Sequence, residues 1–121
     1  MWTYDQATGT LTTPDGTPLC AGYSGAEPDG KNNPSMQNLP CVGPIPQGTY
    51  TIGEPFNSTT HGPFAMPLSP AAANEMFGRS GFLMHGDSLE HPGCASEGCI
   101  IMPPDARHAV WASGDRSLRV A

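Results

Sequence analysis

A histidine and a cysteine, fourteen residues apart, carry the chain's strongest chemical signal. The segment Arg79-Ser-Gly-Phe-Leu-Met-His85-Gly-Asp87 ends an apolar run on His85. After a loop through His91 and Cys94 comes Ser96-Glu-Gly-Cys99-Ile-Ile-Met102, in which Cys99 follows a Gly turn and opens a second apolar run. A free thiol has a pKa near ~8.5, so about a few per cent is thiolate at neutral pH. A neighbouring imidazole can take its proton and shift the pair toward an ion pair, and backbone N–H groups can hold the oxyanion that follows. Gly98 permits a tight turn there, and its N–H together with that of Cys99 is the expected oxyanion hole. Ser96 can bond the turn backbone or orient His85. The same stretch admits a different chemistry, because His85, Asp87, His91, Cys94 and Cys99 are all metal-ligand types. No Cys-x-x-Cys or second close His pair completes a standard zinc set, which makes zinc the weaker reading of this stretch.

These groups need elements to hold them. Phe82-Leu-Met84 is a short buried run that reads as a strand delivering His85, and Ile100-Ile-Met102 reads as a second strand starting at Cys99. Upstream, Trp2–Tyr4 and Thr10–Thr13 alternate around a Gly turn and predict a hairpin. Pro18 to Ser24 predicts a third strand. The polar, Pro- and Asn-rich stretch from Gly25 to Pro40 has no period and predicts a loop. Gly43-Pro-Ile-Pro-Gln-Gly48 reads as a structural turn feeding a strand to Ile52, followed by a loop from Glu54 to Gly62 and a strand over Phe64–Leu68. Ser69-Pro70 has the form of a helix start, with Ala71 to Phe77 as the helix and Gly78 as its stop. A second helix opens at Pro103-Pro104-Asp105, contains Arg107 and ends near Gly114, and Ser117–Val120 closes the chain as a strand. The sum is about seven short strands and two short helices.

At 121 residues the chain is expected to be one domain, 1–121, with a small core. Its 15 Gly and 14 Pro punctuate apolar segments, which favours a turn-rich β fold over disorder. A formal charge of −6 with only five Lys and Arg argues against nucleic acid or an anionic membrane as partner, and suits a basic protein partner. No apolar run is long enough to span a bilayer, and Met1-Trp-Thr-Tyr-Asp-Gln lacks the basic and apolar regions of a Sec signal. Four Cys leave two readings open: a Cys20–Cys41 disulfide, or reduced thiols. Cys94 can be a structural thiol, a partner of Cys20 or Cys41, or a redox lock on Cys99. His61 and His108 read as structural or surface residues.

Taken together, Trp2-x-Tyr4, Tyr23-Ser-Gly25, Asn32-Asn-Pro34, Gly43-Pro-Ile-Pro-x-Gly-x-Tyr50, Gly78-Arg-Ser-Gly-Phe-Leu-Met-His-Gly-Asp87 and Ser96-x-Gly-Cys-Ile100 span nearly the whole chain. This set resembles the type VI secretion L,D-transpeptidase effector family, and more broadly the YkuD-like L,D-transpeptidase domain. That resemblance implies a mostly β sandwich or barrel with one or two short helices. It implies a cofactor-free cysteine L,D-carboxypeptidase or transpeptidase, with Cys99 and His85 catalytic and Ser96 and Gly98 supporting them. The substrate would be the peptidoglycan tetrapeptide stem, cut between meso-diaminopimelate and D-Ala. The resemblance further implies a toxin made in a producer's cytoplasm, exported by the type VI machine without a Sec signal, acting in a rival's periplasm and matched by an immunity protein.

Where the wider signature has His and often Arg, this chain has Glu97 and Ile101. Substrate carboxylate recognition then falls to Arg79 or Arg107. Asp87 can orient His85, bond a substrate amine, or cap its own loop. Tyr23, Ser24 and Asn33 are placed as cleft walls. Two rival functions remain at this level: a zinc-dependent peptidoglycan amidase or peptidase, and a wall-binding module without turnover.

Overall fold

The computed structural model describes residues 1–121. It is mostly β, with ten short strands and one helix: β1 (Trp2–Tyr4), β2 (Thr10–Thr12), β3 (Pro18–Ala21), β4 (Tyr23–Ser24), β5 (Gly48–Ile52), β6 (Phe56–Ser58), β7 (Gly62–Pro70), β8 (Leu83–His85), β9 (Ile100–Ile101), α1 (Pro104–Ala112) and β10 (Ser117–Val120). Hydrogen-bonded neighbours run β3-β2-β1-β10-β5-β7-β8-β9-β4, with β6 paired to β7 off this path. The path begins on β3 and ends on β4, and Gly22 alone separates these two strands in the chain. The sheet therefore curls until its ends meet at Gly22, while no ladder joins β3 to β4. Only glycine fits at that junction, because a Cβ there would come within 1.8 Å of the Ile101 carbonyl oxygen.

Alternation within the strands builds the core. Tyr50 and Ile52 of β5, Leu118 and Val120 of β10, and Trp2 and Tyr4 of β1 all point inward. They join Leu11, Met66, Leu68, Met84 and Ile100 in one cluster of 16 buried residues. The helix α1 covers one side of this core with Ala106 and Val110, spaced four apart on one face. Pro104 occupies its first turn, where a missing N–H costs nothing, and Asp105 suits the positive end of the helix dipole. No helix is long and apolar enough to cross a membrane.

Several sequence expectations are corrected. The helix expected over Ala71–Phe77 does not form. Ser69 and Pro70 instead complete β7, opposite Thr51 and Tyr50 of β5, and the Ala71 N–H continues this pairing to the Thr49 carbonyl. Asn74 then docks on the same strand, accepting from the Thr49 N–H at 3.0 Å and donating to its carbonyl at 2.9 Å. Ala71–Ala73 are exposed, so a helix there would have had no apolar stripe to bury. The expected loop from Glu54 to Gly62 contains β6, which forms a hairpin with the start of β7. The single strand expected from Pro18 to Ser24 is two strands at opposite ends of the sheet. The Gly25–Pro40 loop holds one 3-10 turn, Pro34–Met36.

Candidate active site

The pairing of β8 with β9 sets the site. The two strands run parallel, with Met84 opposite Ile100 and His85 opposite Ile101. Paired residues in a sheet share a face, and successive residues alternate. Met84 and Ile100 therefore enter the core, while His85, Ile101 and Cys99 line the opposite cleft. The cleft encloses about 1500 Å³. Its walls come from the β6–β7 turn, the segment from Gly78 to Phe82, the loop after His85 and the start of α1.

His85 is buried, and its two ring nitrogens differ. Nδ1 lies 2.8 Å from the Gly86 carbonyl oxygen. A carbonyl only accepts, so Nδ1 carries the hydrogen and Nε2 holds a lone pair. Nε2 is buried without a partner in the protein. Burial holds the imidazole below its ordinary pKa, and the nearby His61 and Arg107 push the same way, against the Gly86 hydrogen bond. His85 is thus a neutral base at neutral pH.

Cys99 sits at the mouth of β9. Its Sγ accepts the Leu83 N–H at 3.3 Å and makes no direct hydrogen bond to His85. In the parallel register Cys99 falls level with Leu83, two residues before His85 and on the same face. Burial pushes the thiol up, while the Leu83 N–H and the Arg79 charge pull it down. With thiol raised and imidazole lowered, the resting pair is neutral rather than the ion pair of many Cys–His enzymes.

The turn that presents Cys99 is organised by two serines. Ser96 Oγ accepts from the Gly98 N–H at 3.0 Å and the Gly25 N–H at 2.9 Å, and donates to the Cys99 carbonyl at 2.6 Å. Ser24 Oγ donates to the Gly98 carbonyl and accepts from the Ile45 N–H, both at 2.9 Å. Ser24 therefore lies under the turn rather than on the cleft wall. The Gly98 N–H is spent on Ser96, so of the expected oxyanion pair only the Cys99 N–H is left without a protein partner. Gly98 adopts φ 143°, and a Cβ there would come within 2.5 Å of Arg79 Nη2.

Arg79 is buried, and its four terminal N–H groups are engaged. Its Nη1 donates to the carbonyls of Gln37 and Pro44, and its Nη2 to those of Gly43 and Glu97. No carboxylate neutralises it, so its charge acts on Cys99 while its hydrogens tie the Gly43-Pro-Ile-Pro turn to the catalytic turn. Arg107 is equally buried but only partly engaged. Nε donates to the Met102 carbonyl at 3.0 Å, and Nη1 to those of Pro63 and Phe64 at 2.8 and 3.0 Å.

Asp87 bonds no catalytic atom. It accepts the Tyr23 hydroxyl at 2.5 Å and the backbone N–H groups of Ser88 and Gly93, which makes it the anchor of its own loop. Tyr23 lines the cleft and also accepts the Ala95 N–H, with Lys31 over its ring. Asn33 lies outside the cleft, capping the 3-10 turn through Ser35 and reaching the Asp29 carbonyl. The metal-ligand types His85, Asp87, His91, Cys94 and Cys99 do not converge into a group able to hold an ion. All four cysteines are free thiols: Cys41, Cys94 and Cys99 line the cleft, while Cys20 packs on Met102.

His61 is the residue that sequence reasoning set aside. Its ring lies 4.6 Å from that of His85, centroid to centroid. It stands at the turn of the β6–β7 hairpin, with Nδ1 held by Thr60 Oγ1 at 2.9 Å and Ser58 Oγ at 3.3 Å. The Ser58-Thr-Thr-His61-Gly62 run signals a turn, but nothing in it points to His85.

Among known protein families, residues 19–120 match the one described as the Tlde1 domain. No curated protein matches the chain.

Proposed function

From the premise that the chain belongs to the Tlde1-domain family of type VI secretion effectors, for which peptidoglycan modification is the predicted activity, we propose that it is a cysteine L,D-carboxypeptidase with L,D-exchange capacity. The observation that carries this reading is the unpartnered, buried Nε2 of His85 on the strand beside Cys99.

A stem tetrapeptide lies in the cleft with the amide between meso-diaminopimelate and D-Ala at Cys99. His85 Nε2 takes the thiol proton as sulfur attacks the carbonyl carbon. The Cys99 N–H donates to the oxyanion, and the uncompensated Arg79 charge stabilises negative charge at the sulfur during proton transfer. The imidazolium then gives its proton to the leaving amine, D-Ala departs, and a thioester remains on Cys99. Water, or the amine of another D-amino acid, is deprotonated by the same Nε2 and attacks the thioester. Hydrolysis gives the tripeptide stem, and aminolysis gives an exchanged tetrapeptide. The Gly86 carbonyl keeps Nδ1 protonated throughout, so Nε2 alone carries protons.

In this reading the protein is an antibacterial toxin whose site of action is the peptidoglycan of a target cell's periplasm, with a cognate immunity protein as partner. The test is mass spectrometry of purified muropeptides after incubation with wild type and with Cys99→Ala. Tetrapeptide should become tripeptide with wild type only. Conversion by Cys99→Ala, or by neither protein, overturns the cysteine reading.

A further inference from the structure

Arg107 and His61 flank His85 with hydrogen-bonding capacity that the protein does not use. Arg107 is 4% exposed, and its side chain ties together the end of β9 and the start of β7. Three hydrogen bonds to carbonyls occupy Nε and Nη1. Nη2 donates to nothing in the protein and lies at Gly86, where a Cβ would come within 2.8 Å of it. No carboxylate pairs with this guanidinium. A buried cation without a counter-ion is costly, and one open to a cleft is satisfied by an incoming anion. The contrast with Arg79, whose four terminal N–H groups are all taken, singles out Arg107. His61 borders the same space: Thr60 and Ser58 hold its Nδ1, and its Nε2 makes no bond to the protein.

We propose that Arg107 Nη2 and His61 form a carboxylate subsite that holds the free carboxylate of the D-amino acid leaving or entering at His85. The proposal rests on the cysteine L,D-carboxypeptidase reading and assigns its specificity. The chemistry fixes the place. In a terminal D-amino acid one carbon atom separates the amine nitrogen from the carboxylate carbon. A group that binds the carboxylate must therefore lie beside the group that protonates the amine, and that group is His85. An acceptor D-amino acid enters through the same position by reversal of the departure step. The subsite makes the enzyme an exopeptidase: it favours stems that end at the scissile residue over stems that continue past it.

The experiment measures binding by Cys99→Ala protein of two synthetic tetrapeptide stems, one ending in the D-Ala carboxylate and one in its carboxamide. The carboxylate form should bind about tenfold or more tightly, the scale of a hydrogen-bonded charge. Arg107→Lys and His61→Phe, each added to Cys99→Ala, should narrow that gap. His61→Phe keeps a ring against His85, so it serves where Arg107→Lys fails to fold. Equal affinity for the two peptides, binding of neither, or an undiminished preference in the folded variants overturns the subsite. Wild-type turnover keeps the two proposals apart. Equal cleavage of both peptides removes the subsite and leaves the Cys99 chemistry standing. Cleavage of neither, with carboxylate-dependent binding intact, does the reverse.

Discussion

The two walls of the cleft are built on opposite plans. Around Cys99 nearly every polar group is spent: Ser96 holds three backbone groups, Ser24 two, and Arg79 four carbonyls. Around His85 three groups are unspent, namely His85 Nε2, His61 Nε2 and Arg107 Nη2. A saturated wall fixes geometry, and an unsaturated one is ready to bind and to move protons. The nucleophile thus sits on the rigid side, and the base sits on the side that meets substrate.

The largest break in this contrast should come from Ser96→Ala. The substitution strips partners from two N–H groups and one carbonyl in a buried turn, at a cost of about 3 kcal/mol. Urea unfolding should show that loss, with turnover falling alongside it. Arg79→Lys should come next. Three donors on a flexible stem cannot span four carbonyls, so turnover should fall about tenfold. In Arg79→Gln, which removes the charge that Lys keeps, alkylation of Cys99 by iodoacetamide at neutral pH should slow several-fold, and a purely structural role for Arg79 would not slow it selectively.

The pH dependence sharpens the other wall. His85 is held below the ordinary imidazole value of about 6.5 in the folded protein. In the window between that value and the folded one, the unfolded chain binds more protons, so stability rises with pH. The contribution is fully present above about pH 6.5 and is lost as pH falls through the folded value. The acid limb of kcat/KM should therefore lie below pH 6.5, and thermal unfolding of His85→Gln should lose part of the wild type's acid sensitivity over the same range. The smallest effect belongs to Tyr23→Phe, which removes the hydroxyl between Asp87 and the Ala95 N–H. It should cost about 1 kcal/mol and speed amide exchange in the 88–95 loop, while turnover changes little.

The same contrast explains what could be read from the sequence. Phe82–Met84 and Ile100–Met102 are apolar runs, so the strands that carry His85 and face Cys99 were legible, as was α1 from its Pro-Pro-Asp start. The saturated wall was half legible: the Ser96-x-Gly-Cys99 turn announces itself, but Arg79 clamping Gly43 and Pro44 is a long-range fact. Of the unsaturated wall, His85 and Arg107 were named from the sequence and His61 was not. His61 reaches His85 only because Phe56–Ser58 pairs with β7, and those exposed residues carry no strand pattern. Ser69-Pro-Ala-Ala-Ala has the local chemistry of a helix start, yet pairing with β5 overrides propensity when no apolar face is available. Arg79 and Arg107 look alike in the sequence, and only their partners separate them.

The most direct measurement is a rapid acid quench of wild-type protein with a tetrapeptide stem, followed by peptide mapping by mass spectrometry. A tripeptidyl thioester on Cys99 should appear, and it should fail to accumulate in His85→Gln. Turnover with no adduct on Cys99, undiminished in Cys99→Ala, would contradict the assignment.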